Sequence, residues 1–433
     1  MKRIAIIALL FVACTRTTPT PLINWQTSAA PGKPAIYKFA TSWCPYCARL
    51  DETVFAYPKV VEAAKQFSMV YVDGDLPASD ALMKKYAVRG YPTIIFTQPN
   101  GTLVATSQDD TDPDHFLELM QITLSSSATT PDEKIYLAAV ADEMAGRDVA
   151  ALQKFHQALP YIAQHRHSTK SMDNAFAHIL LFEVTYYKDR DPKRTQKAAQ
   201  VLLQEFPNNP MLPFVYLDFA HSIQHDPELQ KRILRDGVQT TLRFLKATPQ
   251  SMRLQYDMAP DYFDILIEMY TKLGDTDAAQ RITRQAGPLL LDRIKAANQP
   301  RDARSLFSST IYFLREAGYY KEARYTAELA INTWPKDFLY HKRLAEVDVA
   351  LLGDNLSSSK KRLKEALHEY DLAMKYAYGR NMLGVADGYS NLLIRLGRTD
   401  DAHAVIRKAI AAVDWSKNTR QRELKLKEKL EKR

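Results

Sequence analysis

Cysteine is nearly absent: three occur in 433 residues, Cys14, Cys44 and Cys47. A chain this poor in cysteine does not use disulfides as a general scaffold. Long apolar runs are missing too. The only continuously apolar stretch, residues 4–12, falls short of the roughly 20 residues that cross a bilayer, so a multispanning membrane protein is excluded. Glycine is sparse at 14 residues, which excludes a collagen-like chain. No glycine loop for cradling phosphate and no serine-nucleophile elbow is present. The basic excess is small, 58 Lys and Arg against 50 Asp and Glu. No aromatic-basic stripe accompanies it, so nucleic acid is not an expected partner.

What is there suits a globular protein, with 46% hydrophobic and 25% charged residues. At roughly 100 to 200 residues per domain, the length implies two or more domains.

Lys2 and Arg3 precede the apolar stretch, and Ala13 precedes Cys14, the layout of an export leader. Leu10-Phe11-Val12-Ala13-Cys14 resembles a bacterial lipobox, with Phe11 where that family prefers leucine. The resemblance implies that residues 1–13 are removed and that Cys14 is acylated, tethering the protein to a membrane of the bacterial cell envelope, facing the periplasm. Thr15 stands where an aspartate commonly retains such proteins at the inner membrane of Gram-negative bacteria, which favours the outer membrane. Residues 14–30 then form the tether, semi-extended over its Thr/Pro-rich part at 15–21.

Setting Cys14 aside leaves one close pair, Cys44 and Cys47. A single Cys-x-x-Cys lacks the second half of a zinc site, so neither metal nor cofactor is expected and the pair reads as redox-active. Residues 35–40 have strand character, and residues 48–67 read as one helix through Leu50, Val54, Val60, Val61 and Ala64. Thr41-Ser42-Trp43-Cys44-Pro45-Tyr46-Cys47 therefore joins a strand to a helix N-terminus. There the helix dipole and unpaired N–H groups lower a thiol pKa below its free value of about 8.5. Cys44, expected to be the more exposed sulfur, is the candidate nucleophile; Cys47, one turn later, resolves the mixed disulfide. Pro45 suits the first helical turn. Further strands are expected at 69–73 and 93–96, with a helix at 81–87 between them.

Trp43-Cys44-Pro45-Tyr46-Cys47 together with Tyr91-Pro92-Thr93 resembles the active site of thioredoxin-like proteins. The resemblance implies a cis bond before Pro92, beside the disulfide, and makes Trp43, Pro45, Tyr46, Tyr91, Pro92 and Thr93 neighbours of the reacting sulfurs. The Val88-Arg89-Gly90-Tyr91-Pro92-Thr93 loop is also similar to that of protein disulfide isomerases. Gly32-Lys33-Pro34, Phe55, Val60 and Val72-Asp73 look like the C-terminal thioredoxin-like domain of the bacterial transmembrane thiol-electron transporter. That subgroup implies a reductase that exchanges disulfides with secreted or envelope proteins and draws electrons from a thiol redox partner. The Pro45-Tyr46 dipeptide leaves an oxidase or isomerase open. Lys38 stands where thioredoxins place a buried acid, so that acid's role is not carried over; a lysine there either points outward or stabilises a thiolate.

The domain of this resemblance is assigned to residues 31–125, a small-polar linker to 126–131 and a helical region to 132–433. Phe307, Gly318, Tyr320, Ala323, Ala330 and Pro335 resemble a tetratricopeptide repeat in spacing. Leu266, Tyr270, Gly274 and Ala279 repeat part of it, as do Gly397, Ala402, Ile406 and Ala409. Ala366, Tyr370 and Ala373 follow an insertion at 356–361, and Ala198, Leu202 and Pro207 suggest an earlier copy. The expected fold class is thus an α/β thioredoxin-like domain followed by an all-α tetratricopeptide-like solenoid, whose groove would hold a protein partner. A repeat scaffold or chaperone whose cysteine pair senses redox state is the competing reading.

Other features carry less. His165 and His167 read as solvated. Asp109, Asp110, Asp112 and Asp114 lack the glycine and final glutamate of a calcium loop, and Asp112 reads as a helix cap. The basic tail at 417–433 is a solvated terminal helix or a contact for anionic lipid headgroups.

Overall fold

The computed structural model describes residues 23–107, 113–125, 130–246, 258–297, 299–379, 381–412 and 426–429. The expected leader, Cys14, the expected tether up to residue 22, Asp109, Asp110, Asp112, positions 126–129 of the expected linker and most of the basic tail lie outside the described residues.

β1 (Ala35–Ala40) leads into α1 (Pro45–Thr53) and α2 (Pro58–Ala64). β2 (Ser68–Asp73), α3 (Asp80–Lys85), β3 (Thr93–Thr97), β4 (Leu103–Ser107) and α4 (Pro113–Leu124) follow. The sheet order is β2-β1-β3-β4. β1 runs parallel to β2, with Phe39 opposite Val72, and antiparallel to β3, with Phe39 opposite Thr93. As the central strand β1 is covered on both faces. Ile36 packs with Leu50, Val54, Val60 and Phe116 on one side, while Phe39 packs with Val70 and Ile95 under Leu82, Met83 and Tyr86 on the other. The two-residue period puts Lys38 on the Ile36 face, the one that α1 covers.

One expectation needs correction, and one strand adds to those expected. The single helix over 48–67 is two helices, because Tyr57 is extended at φ −74°, ψ 123° ahead of Pro58. Proline cannot donate to the preceding turn and pushes its predecessor out of helical geometry. Both pieces bury the same face, so the apolar period runs on across the break. The edge strand β4 was not anticipated: its burial grows from an exposed Leu103 to a buried Ser107, and a strand half polar and five residues long leaves little periodic signal.

The rest of the described chain is helical. It comprises α5 (Pro131–Met144), α6 (Asp148–His165), α7 (Lys170–Tyr187), α8 (Pro192–Glu205), α9 (Leu212–Ser222), α10 (Pro227–Lys246) and α11 (Ala259–Lys272). It continues with α12 (Thr276–Ala296), α13 (Arg304–Glu316), α14 (Tyr320–Thr333), α15 (Phe338–Leu352), α16 (Lys360–Tyr376), α17 (Asn381–Arg395) and α18 (Thr399–Ala411). Thr130 opens this half with a capping box, its hydroxyl accepting from the Glu133 amide while Glu133 accepts from the Thr130 amide.

Substantial contacts among these helices run between elements one or two apart in sequence. That is the quasi-one-dimensional packing of stacked helix pairs. Ala323, Ala327 and Ala330 are fully buried on α14, where their small side chains let neighbours approach closely. Gly318 turns α13 into α14 at φ 80°, a conformation open to glycine without a Cβ penalty. Among the described residues no helix is long and apolar enough to cross a membrane. The two halves are in contact: α1 packs on α13, β4 on α5 and α4 on α7.

Candidate active site

Cys44 is the N-cap of α1, at φ −79° and ψ 111°, and Pro45 fills the first helical position. Cys44 and Cys47 form a disulfide with Cα atoms 5.2 Å apart. The Cys47 amide donates to the Cys44 sulfur at 3.0 Å. In the reduced state the same N–H and the positive helix end would favour a Cys44 thiolate. Burial opposes them. Cys44 is 4% exposed and Cys47 3%, so the two are buried almost equally and Cys44 is more open only by a margin. The cause is packing by Ala40, Tyr71 and Tyr91 around the sulfurs.

The flanks reach solvent instead, Trp43 being 36% and Tyr46 39% exposed. The Trp43 indole N–H donates to Asp75 at 2.7 Å, and its ring meets Tyr91 edge-on at 6.4 Å. The Tyr91–Pro92 bond is cis. The Tyr91 hydroxyl donates to the Gly74 carbonyl at 2.8 Å, and Thr93 Oγ1 to the Gly90 carbonyl at 2.8 Å, which fixes the loop that faces the cysteines.

Lys38 points inward. It is 2% exposed and ion-paired with Asp51 of α1. Its Nζ lies 5.4, 5.3 and 5.7 Å from the ring centres of Trp25, Phe55 and Tyr71. Burial lowers its pKa, and the Asp51 carboxylate opposes that shift. Tyr71 thus touches both the lysine cage and the cysteine cluster.

Several side chains around the site come from the helical half and carried no sequence signal. The Asp261 carboxylate accepts from the Tyr46 hydroxyl at 2.7 Å and from Arg49 Nη2 at 3.0 Å. Glu52 accepts from the Ser305 amide at 2.9 Å and the Ser305 hydroxyl at 2.6 Å. Ala303, the N-cap of α13, offers no side-chain bond, so Glu52 caps that helix from the other half of the chain. Burial pushes the Glu52 carboxyl up to about 7, against the bonds from Ser305 and the charge of Arg49. Arg304, held by Asp337 at 2.7 Å, donates to the Ser42 carbonyl at 3.3 Å. Tyr378 donates to Asp73 at 2.6 Å and approaches the Ser42 hydroxyl at 3.4 Å. These partners lie up to 336 residues apart, and local periodicity holds no trace of them.

The histidines set aside above lie elsewhere. His165 bonds the Tyr161 carbonyl and His167 pairs with Asp173. Among the described residues no group of three or more His, Cys, Asp and Glu is arranged to hold a metal.

Residues 25–122 match the family described as thioredoxin-like domain. Over 79 residues the chain is 30% identical to the thiol:disulfide interchange protein DsbD of Pseudomonas fluorescens, covering 18% of this chain and 14% of that protein. Over 92 residues it is 29% identical to the protein of the same name from Klebsiella pneumoniae, covering 21% and 15%. The matched part is therefore about a seventh of the length of these relatives. A solved structure, the human IFIT1 dimer with m7Gppp-AAAA, aligns over 70% of this chain and 74% of its own at 14% identity and a TM-score of 0.27, a likeness too loose to carry an argument. Residues 25–122 are thus a thioredoxin-like domain, distantly related to thiol:disulfide interchange proteins and joined to a largely helical region.

Proposed function

We propose that the protein is an envelope-anchored thiol-disulfide oxidoreductase that works as a reductase, with Cys44 as nucleophile and Cys47 as resolving thiol. The observation that carries this reading is Cys44 at the N-cap of α1 with the Cys47 amide on its sulfur. In the reduced protein the Cys44 thiolate attacks one sulfur of a client disulfide, and the client's other sulfur leaves as a thiolate and takes a proton. Cys47 then attacks the Cys44 sulfur, which releases the second client thiol and leaves the Cys44–Cys47 disulfide. Two electrons pass to the client, and a thiol redox partner restores them.

In this reading Cys14 carries the lipid that holds the protein at the membrane facing the periplasm. Trp43, Pro45, Tyr46, Tyr91, Pro92 and Thr93 shape the approach of the client. The helical half is a tetratricopeptide-like solenoid that receives a protein partner. Replacing Cys47 by Ala tests the chemistry: mixed disulfides with client proteins should accumulate on Cys44 and vanish when Cys44 is replaced as well. A variant that traps nothing contradicts the proposal.

The near-complete burial of both sulfurs favours a second reading, in which the pair senses redox state for a scaffold without turnover. Trapping separates the two.

A further inference from the structure

The ties between the halves surround the disulfide on two sides. On one, α1 is held along its length: Tyr46 and Arg49 to Asp261, Arg49 Nη1 to the Met258 sulfur at 3.2 Å, and Glu52 to Ser305. On the other, the segment just ahead of Cys44 is held by Arg304 at the Ser42 carbonyl and by Tyr378 at Ser42 and Asp73. Gly379, next to Tyr378, packs so tightly on the Asp75 carbonyl that a Cβ there would come within 2.0 Å of it. Asp75 in turn holds the Trp43 indole. The residues making these ties, Met258, Asp261, Arg304, Ser305, Tyr378 and Gly379, sit at or beside the N-terminal ends of α11, α13 and α17. One edge of the helical stack is therefore built against the residues on either side of the disulfide.

We infer that this edge is a specificity wall: it admits a client segment in extended form to Cys44 and turns away the surface of a folded client. The inference rests on the reading of Cys44 as the nucleophile and names the class of client. An extended strand needs a slot of only about 5 Å between its neighbours. A folded surface needs a broad opening on both sides of the sulfur, and here those sides are Ser42, bonded to Arg304 and Tyr378, and Tyr46, bonded to Asp261. Ala40, Tyr71 and Tyr91 bury the sulfurs from within the domain, and the ties at Ser42 and Tyr46 add the helical half to the two sides that remain. The wall also gives the helical half a task at the site itself, separate from any partner in its groove.

The test is alkylation of the reduced full-length protein, read at Cys44 by peptide mass, with a small maleimide and with the same maleimide on a bulky polyethylene glycol. Alkylation needs no turnover, so it judges the wall independently of disulfide exchange. If Cys44 is alkylated as the wall requires yet traps no client, the proposed chemistry fails and the wall stands. The wall predicts that the small reagent outpaces the bulky one by about tenfold or more beyond the ratio seen in urea, tenfold corresponding to about 1.4 kcal/mol. Tyr378→Phe combined with Ser305→Ala should narrow that gap by speeding the bulky reagent. Equal rates in the native protein overturn the inference whether or not the variant folds, as does a gap that a folded variant leaves unchanged. A disulfide in an unstructured peptide should likewise be reduced faster than the same disulfide in a folded protein, and the reverse order counts against the wall.

Discussion

The Tyr378 hydroxyl donates a 2.6 Å hydrogen bond to the Asp73 carboxylate across 305 residues of sequence, joining the loop ahead of α17 to the end of β2. The same hydroxyl lies 3.4 Å from that of Ser42, two residues before Cys44. Bonds to charged groups contribute about 1.5–3 kcal/mol, so Tyr378→Phe should lower the stability of the assembled chain by that amount. Urea unfolding measures it; an unchanged midpoint would mean that the bond does not hold the halves together.

Arg49 and Asp261 form an ion pair whose side chains are 5% and 13% exposed. Removing either partner leaves a largely buried charge unmatched, and Arg49→Ala or Asp261→Ala should each cost about 3–5 kcal/mol. The double replacement should cost clearly less than the sum of the two. Additive losses in that cycle would show that the pair is not coupled.

Gly379 adopts φ 52° with the Asp75 carbonyl against its α-carbon. Gly379→Ala adds both a left-handed strain and a backbone clash, and should destabilise by more than about 1 kcal/mol. A thermal melt that matches the parent chain would contradict this close approach.

Glu52 predicts a pH dependence. Burial raises its carboxyl from 4.5 to about 7, so the folded chain holds this proton more tightly than the unfolded one. The associated stability is fully present below pH about 4.5 and is lost as pH rises to about 7, a change of about 3 kcal/mol. Glu52→Gln cannot lose that proton and should flatten this window in unfolding free energies measured between pH 4.5 and 8. An equal slope in parent and variant would assign the dependence to other groups.

Much of the architecture was legible because it is written locally. The apolar run of β1 and the placement of Cys44 between a strand and a helix follow from composition, spacing and turn chemistry within a few residues. So does the helical pairing around Gly318. Pro58 was equally visible as a helix breaker, but an apolar face that continues across the break hid it. The burial of Cys44 was not legible, because its cause lies in Tyr71 and Tyr91 from other strands and loops. The wall was less so: Glu52 meets Ser305 over 253 residues and Tyr46 meets Asp261 over 215, and neither residue type marks a contact by itself.

The central claim is that the Cys44–Cys47 bond exchanges electrons rather than merely closing the first turn of α1. Equilibrating the protein in thiol–disulfide buffers and counting free thiols at these two positions answers that directly. A single two-electron transition is expected within the range of about −270 to −120 mV spanned by thioredoxin-like proteins, toward its reducing end. A bond still oxidised below about −300 mV would mark a structural disulfide and contradict it.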